Sequence, residues 1–167
     1  MDTNKIKTLL ELPVETCGYV DDEMTLIIDG VPKIEDSRNI CVNNTNYHPI
    51  IWHTHPFDMK SYPSMEDIRK ILKLKSGYNP KVSLIFTKWG IWKLWAGKKG
   101  LVSNNIERAI IKSYSGLYHI TEKGRGNINI PFVQSYIEEL EYILQEYRFS
   151  IRLTTWNKLG NRGIYNI

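Results

Sequence analysis

Residues Ile50 to Leu72 read IIWHTHPFDMKSYPSMEDIRKIL. The run Ile50, Ile51, Trp52 is apolar, β-branched and aromatic, which predicts a buried strand leading into the histidines. Side chains two apart on a strand leave the same face, so His53 and His55 can aim both imidazoles at one point. Pro56 has no N–H to give to a central ladder, so the pair stands at the strand's end, where sites open to solvent. A turn-like segment, Phe57 to Pro63, follows. Ser64 then opens a helix, with Asp67 in its first turn and Ile68, Ile71 and Leu72 as its apolar face.

Two imidazoles and a carboxylate form the three-ligand set of a catalytic zinc site, which is tetrahedral and keeps one position for water. Each piece also has an ordinary structural meaning. A His-x-His on a strand is commonly polar packing. Ser-x-x-Asp ahead of an apolar run is a helix start, with Ser64 as N-cap and Asp67 near the positive helix end. These meanings are compatible, because a metal ligand can lie in a capped first turn.

The segment HTHP (His53 to Pro56) followed by SMED (Ser64 to Asp67) resembles the His-x-His…Ser-x-x-Asp signature of the JAMM metalloproteases, the MPN-plus or JAB domain group. That group also carries a glutamate on an earlier strand, often within Pro-x-Glu-x-Cys-Gly, and this chain reads Pro13-Val14-Glu15-Thr16-Cys17-Gly18. The resemblance covers about residues 1 to 96. It implies an α/β fold, a mixed β-sheet flanked by helices with JAB/MPN-like, cytidine-deaminase-like architecture. It further implies Zn2+ held by His53, His55 and Asp67, with Glu15 as general base and Ser64 as donor to the developing oxyanion. The activity implied is that of a zinc isopeptidase or peptidase, with conjugates of ubiquitin or a ubiquitin-like protein as substrate. The alternative is a catalytically silent MPN-like scaffold for protein–protein interaction, but silent relatives typically lack ligands that this chain retains. The short spacings leave little room for the insertions with which eukaryotic deubiquitinases hold a ubiquitin chain, which fits a compact prokaryotic-like or viral enzyme.

Working outward, Thr3 to Leu12 has the spacing of a short amphipathic helix ended by Pro13. Glu15 to Val20 and Met24 to Asp29 read as strands joined at Asp21-Asp22. Gly30 to Arg38 reads as loop, Ile40 to Val42 as a short strand and Asn43 to Asn46 as a turn. The helix from Ser64 extends to about Lys75, and Gly77 and Pro80 punctuate the loop beyond it. Val82 to Thr87 and Ile91 to Ala96 read as strands joined tightly at Trp89-Gly90. Further on, Asn105 to Tyr118 reads as a helix, Glu122 to Asn129 as a polar loop, Pro131 to Tyr147 as a helix and Phe149 to Trp156 as a strand. Residues 97 to 167 are expected as a helical C-terminal part of one domain spanning 1 to 167.

The bulk properties agree with a single globular domain. The chain has 167 residues, 42% hydrophobic and 24% charged, which is ordinary for such a domain. A net charge of +4 and a pI near 9.0 permit an acidic partner. They permit nucleic acid equally and demonstrate neither, and the basic excess across Lys88 to Arg125 reads as a solvated face, so nucleic acid is not expected. The two cysteines, Cys17 and Cys41, are too few for a secreted disulfide scaffold and are expected as reduced, buried thiols. With neither a signal peptide nor a stretch of transmembrane length, the expected location is intracellular, in the cytoplasm, with no membrane contact. His48 and His119 lack a partner motif, Asp58 and Glu66 are expected in solvent, and Trp89, Trp92 and Trp95 in packing. The His-Glu-x-x-His and nucleobase-deaminase zinc patterns are absent.

Overall fold

The computed structural model describes residues 3–35, 38–43, 48–56, 60–72, 82–97, 103–122 and 129–159. In chain order the elements are α1 (Thr3–Leu10), β1 (Cys17–Val20), β2 (Leu26–Ile28), β3 (Gly30–Glu35), β4 (Arg38–Asn43), β5 (Ile50–Thr54) and α2 (Met65–Leu72). They continue with β6 (Val82–Thr87), β7 (Gly90–Ala96), α3 (Asn104–Glu122), α4 (Ile130–Ile143), a 3-10 turn (Gln145–Tyr147), β8 (Phe149–Thr155) and α5 (Trp156–Leu159). The expected loops around Gly77 and Pro80 and within 123–128 lie outside the described residues, as do Asp58 and most of the Asn43 to Asn46 turn.

Six strands form one mixed sheet in the order β2-β1-β5-β6-β7-β8. β5 and β6 run parallel, and the other neighbours are antiparallel. A parallel pair needs a crossover rather than a tight turn, and here the crossover carries α2. That places α2 over the end of the histidine strand.

The alternation of side chains sorts the strands onto two helical layers. Trp52, Leu84, Phe86 and Ile91 turn to the face covered by Ile6, Leu9 and Leu10 of α1, together with Leu159 of α5. Ile85, Trp92 and Leu94 turn to the other face, against Ile68, Ile71 and Leu72 of α2, Ile110 of α3, and Val133, Ile137 and Leu140 of α4. His53 follows Trp52 and sits opposite Ile85 in register, so the period of two directs its imidazole to the α2 side. β8 pairs with β7 at the far edge, and Phe149 and Ile151 join the same core. The C-terminal segment thus supplies a strand of the sheet as well as helices.

Two expectations are corrected. Gly30 to Arg38 is not a loop: β3 and β4 pair antiparallel as a separate two-stranded sheet, from Gly30 opposite Asn43 to Glu35 opposite Arg38. Pro32 is paired in this ribbon opposite Cys41, because in a two-stranded sheet every strand is an edge, where a missing N–H is tolerated. The cysteines are not free thiols either, because Cys17 on β1 and Cys41 on β4 form a disulfide. Gly30 makes room for it, since a Cβ there would run into both sulfur atoms. The intracellular location expected from the sequence therefore gains no support from the cysteines. Among the described residues, no helix is long and apolar enough to cross a membrane.

Candidate metal centre

β5 ends on the histidine pair. His53 is the fourth residue of the strand, and His55 lies just past Thr54, where its N–H still donates to the Phe86 carbonyl at 2.8 Å. Both rings are buried, 8% and 4% exposed, and their Nε2 atoms stand 3.2 Å apart.

Asp67 comes from the first turn of α2 and is 4% exposed. Its Oδ1 lies 3.1 Å from His53 Nε2 and its Oδ2 3.5 Å from His55 Nε2. Four-coordinate zinc with bonds near 2.0–2.1 Å holds its donors about 3.3–3.4 Å apart along each tetrahedral edge. The Nε2–Nε2 and the His53 Nε2–Asp67 Oδ1 separations lie close to that spacing, and His53, His55 and Asp67 form a group that could hold a metal ion.

The surroundings fix which atoms are offered. His55 Nδ1 lies 2.9 Å from the Lys60 carbonyl, so Nδ1 is the protonated nitrogen and Nε2 keeps its lone pair for the centre. Asp67 Oδ2 accepts from the Ser64 N–H at 2.7 Å and from the Ser64 hydroxyl at 2.6 Å, which leaves Oδ1 for the centre. Ser64 Oγ in turn accepts from the Asp67 N–H at 3.2 Å. This exchange is the capping box expected of Ser-x-x-Asp, so helix start and candidate ligand coexist in the same two residues.

Glu15 reaches the centre through pairing between strands. β1 and β5 are antiparallel with Cys17 opposite His53. Continuing that register past the Thr54 N–H bond to the Thr16 carbonyl at 2.8 Å brings Glu15 beside His55. Its Oε1 lies 4.0 Å from His55 Nε2, with the side chain 13% exposed. Glu15 stands just ahead of β1, not within it as expected. The structure therefore brings all five singled-out residues together: Glu15, His53, His55, Ser64 and Asp67.

Electrostatics follow from three acceptors converging in a buried space. Burial disfavours a charged His55, but hydrogen bonding and attraction from Asp67, the Glu15 carboxylate and the Lys60 carbonyl outweigh it and raise its pKa above the usual imidazole value. Burial likewise opposes ionisation of Asp67, yet the His53 and His55 rings hold it well below the ordinary carboxylate range. The site is one that seeks a cation, whether proton or metal.

Residues left aside stay aside. His48 stacks on Tyr19, with ring centroids 3.5 Å apart, and Glu66 on α2 is exposed. Trp92 is fully buried and Trp95 is 38% exposed. Missed from the sequence were the supports of the Lys60–Ser64 segment: Trp92 Nε1 donates to the Ser61 carbonyl at 2.8 Å, and the Tyr114 hydroxyl donates to the Pro63 carbonyl. No local pattern marks such bonds, because each joins residues far apart in the chain. Comparison of the chain with protein-family models, with curated proteins and with solved structures found no match.

Proposed function

We propose that this chain is a zinc-dependent amide hydrolase of the JAMM, MPN-plus type, an isopeptidase or peptidase acting on conjugates of ubiquitin or a ubiquitin-like protein. The observation that carries the reading is the convergence of His53, His55 and Asp67 at 3.1–3.5 Å with a second carboxylate, Glu15, at 4.0 Å. The donor set fits zinc because it joins two imidazole nitrogens to a carboxylate in one buried space. The mixed sheet, with α2 crossing over from the histidine strand, supports a JAB/MPN-like architecture.

Bound at this centre, zinc would lower the pKa of a water molecule and polarise the scissile carbonyl. The chain's own groups do the rest. Glu15 lies next to the ligands without belonging to the three-donor cluster, so its carboxylate is placed to take a proton from water and pass it to the departing amine. Ser64 stands at the mouth of the helix with its hydroxyl proton directed at Asp67 Oδ2. To serve a developing oxyanion, that proton swings from Asp67 to the substrate, while the Ser64 N–H keeps Asp67 in place. Such a donor contributes about 3 kcal/mol to transition-state stabilisation.

The test is hydrolysis of ubiquitin chains and ubiquitin C-terminal amides by zinc-loaded protein, wild type beside Glu15→Gln. Wild type is expected to cleave, and Glu15→Gln to retain zinc without cleaving. Cleavage by Glu15→Gln at the wild-type rate would remove Glu15 as the base. A zinc-loaded wild type inert toward every such conjugate would overturn the substrate class.

A further inference from the structure

Three carbonyls of the segment that leads into α2 are each held by a side-chain donor from outside that segment. Lys60 accepts from His55 Nδ1 at 2.9 Å, Ser61 from Trp92 Nε1 at 2.8 Å, and Pro63 from the Tyr114 hydroxyl. Ser61, Tyr62 and Pro63 are buried. The last bond matters most for the centre. The Pro63 carbonyl and the Ser64 N–H belong to one planar peptide unit and turn together. Tyr114 holds the carbonyl end, and the N–H end donates to Asp67 Oδ2 at 2.7 Å.

We propose that Tyr114, on α3, is a positioning residue of the metal centre: it orients the Pro63–Ser64 peptide, whose N–H holds Asp67 Oδ2 and leaves Oδ1 aimed at the ion. The inference rests on the metal-centre reading above and adds a residue from beyond the region of family resemblance. Hydrogen bonds at the two ends of one peptide also polarise it, so a donor on the carbonyl strengthens the N–H as a donor. Burial, reinforced by the Asp67 and Tyr62 side chains, raises the Tyr114 pKa well above the usual phenol value, which keeps the hydroxyl a donor.

The experiment is the zinc dissociation constant of Tyr114→Phe, measured by competition with a chromogenic chelator, with circular dichroism and a thermal melt of the metal-free protein as controls for folding. Removing such a support of a ligand is expected to weaken zinc binding about tenfold. In an Asp67→Ala background, whose two remaining histidines hold zinc too weakly to carry it through purification but can be titrated directly with added zinc, the same substitution should change the residual affinity by less than about twofold, because its route to the metal has gone. An unchanged dissociation constant in Tyr114→Phe would overturn the proposal. So would an equal loss with and without Asp67, which would mark a general loosening of the fold. In either case a wild type that binds zinc leaves the metal-centre reading standing, whereas a wild type that binds none ends both.

Discussion

Breaking the Cys17–Cys41 bond has an effect whose size follows from the chain. The bond closes a loop of sequence separation 24, and it ties β4 to β1 close to Glu15. Cross-linking a loop of that length removes unfolded-state entropy worth about 3 kcal/mol in the chain-entropy account. For a domain of this size each kcal/mol moves the melting temperature by about 2–4 °C, so the loss should appear as a fall of about 10 °C. The assay is a calorimetric melt of the protein with and without a thiol reductant, beside the Cys17→Ser, Cys41→Ser double variant and a titration of free thiols in denaturant without reductant. The unreduced protein should show no titratable thiol, and the reduced protein and the double variant should melt together at the lower temperature. Two titratable thiols in the unreduced protein, or equal melting with and without reductant, would refute the reasoning and restore the buried free thiols that the composition suggested.

Further outcomes concern the centre. Because the pKa of His55 is raised, the metal-free protein keeps a proton on the ring to higher pH than free imidazole does. Zinc must displace that proton, so apparent affinity should weaken about tenfold for each pH unit below that pKa; a dissociation constant that stays flat from about pH 5.5 to about pH 7.5 would contradict this. The same shift works on the stability of the metal-free protein. The His55 contribution is present at low pH and fades as pH rises through the raised pKa, while that of Asp67, lowered in the fold, fades only as pH falls through its depressed value; melts across pH follow both. Ser64→Ala removes the hydroxyl bonds to Asp67 but keeps the backbone N–H bond, so it should cost about 1 kcal/mol as a lost cap while retaining zinc, and should slow hydrolysis about 10²-fold or more. Zinc lost from Ser64→Ala would show that the hydroxyl, not the N–H, holds the ligand.

What could be read from the sequence was what is local. The apolar run into His53 and His55 marked a buried strand, and alternation placed both rings on one side. Ser64 and Asp67 read as a helix start and stand as one, with reciprocal bonds between them. The apolar faces of α1 and α2 followed from spacing, and each is buried. Glu15 is different: nothing near it in the chain points to the histidines, and only its family-like context singled it out, because its place depends on the register of β1 against β5. The order of the strands, the docking of β8 on β7 and the Tyr114 bond to Pro63 are likewise products of tertiary pairing and carry no local signal. The disulfide was missed for a related reason. Two cysteines far apart in the chain do not declare their distance, and their small number says nothing of whether the fold brings them together. β3, expected as loop, holds Gly30, which leaves space for the sulfurs, and Pro32, which lies in a ribbon that has only edges.

The central claim is that His53, His55 and Asp67 hold a metal ion. It is tested most directly by the zinc content of the purified protein, determined by elemental analysis for the wild type and for His53→Ala, His55→Ala and Asp67→Ala. Two imidazoles and a carboxylate converging in one buried space predict about one zinc per wild-type chain and loss of the metal in each variant that stays folded. A wild type that carries no zinc and takes up none when it is supplied, or variants that retain the metal in full, would contradict the claim.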